Sequence, residues 1–152
     1  MKTNHMISPE RLAIHQVAWM RLLESLDVAP ADAYPLFDRL VAAYQEPHRH
    51  YHNLEHITEM LKIVGKLADS ATPLPALQLA VWFHDAVYDP HAKDNEEQSA
   101  VLALRELQPL GIPTTTLDRI AALIRATAHV GAADVDTATA FLLDADLAIL
   151  GA

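Results

Sequence analysis

The spacing of apolar residues is the feature that most constrains what this chain can fold into. Apolar residues recur at intervals of three and four along most of the sequence, and no segment alternates convincingly with a period of two. The first spacing places apolar side chains on one face of a helix, whereas the second is typical of a half-buried strand. The sequence therefore predicts an all-α fold of about seven helices.

Capping residues and prolines set the expected helix boundaries. The first helix is expected from Pro9 to about Leu26, and the second starts after Asp32 and stops before Pro47. Asn53 is expected to cap a third helix that runs to about Ala68. The remaining predicted helices are LPALQLAVWFHDAV at 74–87, a segment that starts at the capping pair Asp94 and Glu97 and ends near Gln108, a segment from Thr115 or Thr116 to about Ala128, and TATAFLLDADLAIL at 137–150.

Composition limits the class of protein. Of the 152 residues, 51% are hydrophobic and 20% are charged, which favours one folded domain spanning residues 1–152. Cysteine is absent, so a metal site would need nitrogen and oxygen ligands. The first residues lack the apolar core of a signal peptide, and no apolar run approaches the roughly 20 residues that span a bilayer. We therefore expect a cytoplasmic protein with no membrane segment.

The charge balance limits the partners. The formal net charge is −9, from 11 Lys and Arg against 20 Asp and Glu, and there is no basic stripe. Counterion release from a nucleic-acid backbone would be weak, so duplex nucleic acid is not an expected partner. An anionic substrate would need positive charge supplied locally, for example by a metal ion with histidine and arginine.

The segment PHRHYHNLEH, residues 47–56, contains four histidines and one arginine. Imidazole is the commonest metal ligand and titrates near neutral pH, so the segment indicates either metal binding or proton transfer. His52 and His56 are four positions apart, which places them within about 6 Å on one side of a helix. Both could bind one metal, or one could bind the metal while the other faces the substrate. The alternative is a solvated polar loop that is rich in histidine.

Two groups of aspartates stand in apolar surroundings. His84 and Asp85 follow VWF at the end of the most apolar predicted helix, where an unpaired carboxylate would cost several kcal/mol. A helix cap, an arginine or a metal shared with the adjacent imidazole could compensate that charge. Asp144 and Asp146 interrupt the seventh predicted helix and point about 200° apart, so one of them is expected at the surface.

HNLEH also fits the H-x-x-E-H pattern and so resembles the inverted zinc peptidases, in which Glu55 would be the general base. That family uses a further glutamate well downstream as a metal ligand. This chain has no glutamate after Glu106, so a peptidase is the minor alternative.

The order of His56, the His84–Asp85 pair and a late aspartate resembles the HD superfamily of metal-dependent phosphohydrolases. The segments RHYHNLEHI, WFHDAVYDP, DNEEQSA, ATAH and FLLDADLAILG are similar to those of the small bacterial predicted metal-dependent HD phosphohydrolases, over nearly the whole chain. The resemblance implies an HD-domain-like helical bundle. It also implies further helices after the last aspartate, so two alternatives stay open: this sequence is a truncated form, or it represents only the ordered part.

The resemblance implies that the metal ligands are His56, His84, Asp85 and a late aspartate. In that family the late aspartate stands in an Ala-Asp-Leu or similar context, which selects Asp146 over Asp144. Together these side chains would hold a divalent ion, for which Mn, Fe, Mg, Zn, Co and Ni all remain open.

The resemblance also implies roles for residues that are not metal ligands. YHNLEH resembles the YHN-x-x-H stretch of cyclic nucleotide phosphodiesterases, which implies that His52 protonates the leaving group. Asp94, Asn95 and Glu96 would form a site wall, in which Asn95 would bind the substrate and Glu96 would be a catalytic residue next to a metal-bound water. His129 would reach the phosphate or a second metal, although a lone histidine at the end of a helix is also common in a core or on a surface. Arg49 has a planar guanidinium that suits two phosphate oxygens.

The expected activity is that of a phosphomonoesterase or phosphodiesterase, in which a metal-activated water attacks a small phosphorylated substrate such as a nucleotide. A second hypothesis is a non-catalytic sensor that binds a metal and a nucleotide. A third, purely structural interpretation requires arginines that pair with the buried aspartates, and arginine is scarce near these motifs.

Overall fold

The computed structural model describes residues 8–47, 53–67 and 74–128. These ranges contain six α-helices and no strand, which confirms the all-α prediction. The helices are α1 (Pro9–Glu24), α2 (Pro30–Tyr44), α3 (Leu54–Leu67), α4 (Leu74–Phe83), α5 (Asn95–Leu107) and α6 (Thr114–Ala126), with a 3₁₀ turn at Gln108–Leu110. The seventh predicted helix lies outside the described residues. None of the described helices combines the length and apolar character that crossing a bilayer requires.

Two of the predicted helix starts are confirmed. The Ser8 side chain accepts a hydrogen bond from the Arg11 backbone N–H at 3.3 Å, and the Asn53 side chain accepts one from the His56 backbone N–H at 3.3 Å. Each bond satisfies an N–H group that has no partner within its own helix. α2 begins at Pro30 rather than after Asp32, because proline at the first helical position has the required φ and lacks only an N–H that the helix would leave unpaired.

The predicted capping pair at the start of α5 is wrong. Asp94 is the residue before the helix, but its side chain makes no capping bond and instead accepts a hydrogen bond from the Gln98 side chain at 3.1 Å. Glu97 forms two hydrogen bonds with Arg125 of α6, at 2.8 and 3.0 Å. The Glu97 carboxylate is therefore engaged between helices instead of folding back onto the Asp94 backbone.

α4 is the centre of the core, as its sequence predicts. Every residue from Ala76 to Phe83 is buried except Gln78, which is partly buried. α4 packs against α3, α5 and α6. At its C-terminal end, the Trp82 ring meets the Trp19 ring of α1 edge to face, with centroids 5.5 Å apart and an angle of 77° between the planes. The last residues of α4 are therefore fully buried against α1.

α1 and α3 are joined by polar contacts. Arg11 donates a hydrogen bond to Glu55 at 2.6 Å, and the His15 Nε2 atom lies 2.7 Å from the Thr58 hydroxyl oxygen. The Thr58 hydroxyl donates its only hydrogen to the Leu54 carbonyl, so His15 must be the donor in its contact with Thr58. Burial, and secondly the charge of Arg11, lower the pKa of His15. These contacts orient the first turn of α3, where His56 lies.

Candidate metal centre

His84 and Asp85 follow directly after α4, at a helix end whose backbone is fully bonded. Each of the four terminal carbonyls of α4 accepts a hydrogen bond. The Ala80 carbonyl accepts from the His84 N–H at 2.9 Å, and the Val81 carbonyl accepts from His84 Nδ1 at 2.7 Å. The Trp82 carbonyl accepts from the Tyr44 hydroxyl at 2.7 Å, and the Phe83 carbonyl accepts from the Ala86 N–H at 3.0 Å. Carbonyls in this position have no partner within the helix and cost free energy when buried. The local sequence WFHDA therefore ends the buried helix and fixes the two polar residues immediately beyond it.

The His84 ring is set in one tautomer by this arrangement. A carbonyl only accepts hydrogen bonds, so Nδ1 carries the hydrogen that is donated to the Val81 carbonyl. The Nε2 atom of the neutral ring then carries a lone pair. A metal-ligating histidine usually donates its other ring N–H to a carbonyl or carboxylate in this way.

His56 reaches the same place from the first turn of α3. Its backbone N–H is capped by Asn53, and α3 packs along α4. The side chains of His56 and His84 are 3% and 2% exposed, whereas that of Asp85 is 15% exposed. Two imidazoles are therefore buried, and the carboxylate between them has limited access to solvent.

The distances among these three residues are compatible with ligation of one metal ion. The Asp85 Oδ2 atom lies 3.3 Å from Nε2 of His84 and 3.8 Å from Nε2 of His56. The two imidazole rings have centroids 5.5 Å apart and planes at 47°. One ligand atom from each residue lies within 4.8 Å of the other two, so this group could hold a metal ion. Its nitrogen and oxygen donors suit several divalent transition metals and do not select one.

The predicted site wall lies at the start of α5. Glu96, which is partly buried, lines a surface pocket of about 250 Å³ together with Glu97 and Arg125, and it does not belong to the group of His56, His84 and Asp85. The hydrogen bonds from Arg125 lower the pKa of Glu97, and the same bonds raise the pKa of Arg125. The contact of Glu96 with a metal-bound water stays a prediction.

The Asn95 side chain is part of the loop that follows the candidate site. Its Oδ1 atom accepts from the Asp89 N–H at 3.1 Å, and its Nδ2 donates to the Asp89 carbonyl at 2.9 Å. This pair of bonds closes the loop between α4 and α5. Substrate binding by Asn95 also stays a prediction.

The other predicted site residues are outside the described ranges. These are the proposed acid His52, the phosphate-binding candidates Arg49 and His129, and both late aspartates, Asp144 and Asp146. The structure thus brings together three of the four predicted metal ligands.

Tyr44, at the C-terminal end of α2, contacts this site although no sequence pattern indicates it. Its hydroxyl donates to the Trp82 carbonyl at 2.7 Å and accepts from the Asp85 backbone N–H at 3.3 Å. No local pattern signals such a role, because the partners lie 38 and 41 positions along the chain.

Comparisons of the chain with protein-family models, with curated proteins and with solved structures found no match.

Proposed function

We propose that this protein is a metal-dependent phosphohydrolase of the HD type that acts on a small phosphorylated substrate such as a nucleotide. The observation that carries the proposal is the convergence of His56, His84 and Asp85, whose ligand atoms lie within 4.8 Å of one another. The sequence resemblance to HD phosphohydrolases assigns these same three residues to the metal. Asp146 is proposed as the fourth ligand.

The donor set fits a divalent cation on chemical grounds. A metal ion requires neutral imidazole and ionised carboxylate, and the bond from His84 Nδ1 to Val81 directs the lone pair of His84 to Nε2. A doubly charged ion would also balance the carboxylates of Asp85 and Asp146, which reduces the cost of placing them in apolar surroundings. When bound, such an ion supplies a Lewis acid that activates water and polarises a phosphoryl oxygen.

The remaining steps are proposed for the protein's own side chains. His52 donates a proton to the leaving oxygen, and Arg49 binds phosphate oxygens through its guanidinium fork. His52 immediately precedes Asn53, the cap of the helix that carries His56. The proposed acid and the nearest metal ligand are thus four positions apart in sequence.

Phosphohydrolysis is favoured over the peptidase alternative by the position of Glu55. In an H-x-x-E-H peptidase this side chain would act as the general base. In the structure the Glu55 side chain is 43% exposed and accepts a hydrogen bond from Arg11 of α1 at 2.6 Å, whereas the side chain of His56 is buried. The Glu55 carboxylate is therefore engaged by α1 and not held at the buried ligand group.

The first test combines metal analysis with a phosphate-release screen. Protein purified without added metal is analysed for its elements, and each candidate ion is then tested with cyclic nucleotides, nucleoside phosphates and sugar phosphates. His84→Ala and Asp85→Asn should abolish both metal binding and phosphate release. The matched controls are His91→Ala and Asp118→Asn, because both residues are exposed and neither belongs to the ligand group.

A second variant separates metal binding from proton transfer. His52→Ala should keep the metal and lose roughly 10²- to 10⁴-fold in turnover, the usual contribution of a general acid. Nucleotide binding without phosphate release from any substrate would instead support the sensor hypothesis. Wild-type protein that binds none of the six candidate metals would refute the proposed function.

A further inference from the structure

Tyr44 connects α2 to the exact place where α4 ends. Tyr44 is 1% exposed, and among the described residues its hydroxyl makes two hydrogen bonds of opposite sense. The hydroxyl hydrogen goes to the Trp82 carbonyl at 2.7 Å, while the oxygen accepts the Asp85 N–H at 3.3 Å. One phenol group thus bridges the last turn of the helix and the first residue beyond His84.

The bond to Asp85 concerns the candidate ligand itself. The N–H is attached to the same Cα that carries the carboxylate, so fixing it restricts where that carboxylate can point. In the structure the carboxylate lies 3.3 Å from Nε2 of His84 and 3.8 Å from Nε2 of His56. Metal affinity depends on such supporting contacts, because they hold the first ligands in the geometry that the ion needs.

A second contact holds the chain just beyond this point. Ser99 of α5 is buried, and its hydroxyl accepts the Val87 N–H at 3.1 Å and lies 3.3 Å from the Val87 carbonyl oxygen. The turn that contains Asp85 is therefore held on one side by α2 and on the other by α5. Of the two contacts, only the one from Tyr44 is made to the candidate ligand residue.

We infer that Tyr44 is a positioning residue for the metal site: its hydroxyl pre-organises Asp85 for ligation before an ion arrives. The inference rests on the proposed metal-binding function and extends it to a residue outside the ligand set. Removing the hydroxyl leaves all three ligand residues in the chain, but the Asp85 backbone N–H loses its bond to Tyr44 and this residue can move. Metal affinity should then fall by about 10- to 100-fold, the usual effect of losing a contact that supports a ligand.

The test is a calorimetric titration of the metal-free full chain with Co²⁺. Tyr44→Phe is compared with wild type and with Tyr34→Phe, which removes the same hydroxyl from an exposed tyrosine of the same helix. Ile120→Val serves as a stability control, since it truncates a buried side chain of α6. Thermal unfolding of all four metal-free proteins is recorded alongside the titrations.

The inference is supported if Tyr44→Phe binds Co²⁺ at least tenfold more weakly while both controls match wild type. It is overturned if Tyr44→Phe stays within about twofold of wild type, or if Ile120→Val weakens binding equally at a similar loss of thermal midpoint. Wild-type protein that does not bind Co²⁺ or any other candidate ion overturns the inference together with the proposed function.

A measurement on the wild type covers the case in which Tyr44→Phe does not fold. The Asp85 amide of the metal-free protein should exchange with solvent slowly, because it donates to a buried hydroxyl. Exchange of that amide at the rate of an unprotected amide would mean that the turn is not held before metal binds, and would overturn the inference.

Discussion

The stability of this protein should decrease in mild acid because of His15. In the folded protein the Nε2–H of His15 is donated to Thr58, so the ring can take up a further proton only at Nδ1. Burial is the largest obstacle to this proton uptake, and the positive charge of Arg11 is the second. The pKa of His15 therefore lies below its ordinary value of 6.5. The negative charge of Glu55 raises the pKa of His15, and the positive charge of Lys62, the smallest of the four causes, lowers it.

The direction of the effect follows from proton uptake. Below about pH 6.5 the unfolded chain binds a proton at His15 that the folded protein does not yet accept, so protons favour unfolding. Neutral His15 therefore makes its full contribution to the free energy of unfolding above the pKa that His15 has in the unfolded chain. That contribution is lost as the pH falls from there towards the lower pKa that His15 has in the folded protein. One proton corresponds to at most about 1.4 kcal/mol of unfolding free energy per pH unit.

The assay is urea unfolding of the metal-free protein, which gives the unfolding free energy from about pH 7.5 down to about pH 5.5. His15→Gln keeps an N–H donor for Thr58 but cannot titrate, so its pH profile should be flatter than that of the wild type. Arg11→Gln removes the second-largest cause and should give an intermediate slope. Equal slopes for wild type and His15→Gln would refute the reasoning.

Three further changes have definite expected outcomes. Trp19→Phe removes the indole donor to the Ala33 carbonyl and leaves a small cavity, so urea unfolding should show a loss of roughly 2 kcal/mol; no loss would contradict the contact. Gly111→Ala should lower the unfolding free energy by about 1 kcal/mol, because φ at this position is 79°, a backbone conformation that disfavours a Cβ. The added Cβ would meet nothing within 4 Å, so no steric clash adds to the loss, and an unchanged value would argue against that turn. A bound ion at 100 times its Kd should add about 2.7 kcal/mol, or roughly 5–11 °C in thermal midpoint, and His84→Ala should abolish this gain; an equal gain in that variant would place the ion elsewhere.

Local patterns in the sequence were sufficient for most of the fold. The apolar run before His84 predicted a buried helix because no face of it is polar, and Asn53 predicted a helix start because its side chain can cap. The pairing of His84 with Asp85 next to a distant His56 came from the residue types and from the resemblance to a known family. In each case the signal lay in residue types and spacings that can be read along the chain.

The failures have a different physical origin. Asp94 and Glu97 have the spacing of a capping pair, but Arg125 competes for the Glu97 carboxylate from 28 positions away. The role of Tyr44 could not be predicted from the sequence, because a tyrosine on the apolar face of an amphipathic helix is indistinguishable from any other core residue. Contacts of this kind depend on how the helices pack, and they become visible only in the assembled structure.

The edge-to-face contact between Trp19 and Trp82 has a practical consequence for studying this molecule. The chain has only two tryptophans, and both are buried in that single contact. Tryptophan fluorescence, excited at wavelengths that the four tyrosines do not absorb, therefore originates from one location, where α1 meets the end of α4. Because Trp82 is two positions before His84, the emission should respond both to loss of the core and to a quenching ion at the candidate ligands, with no added label.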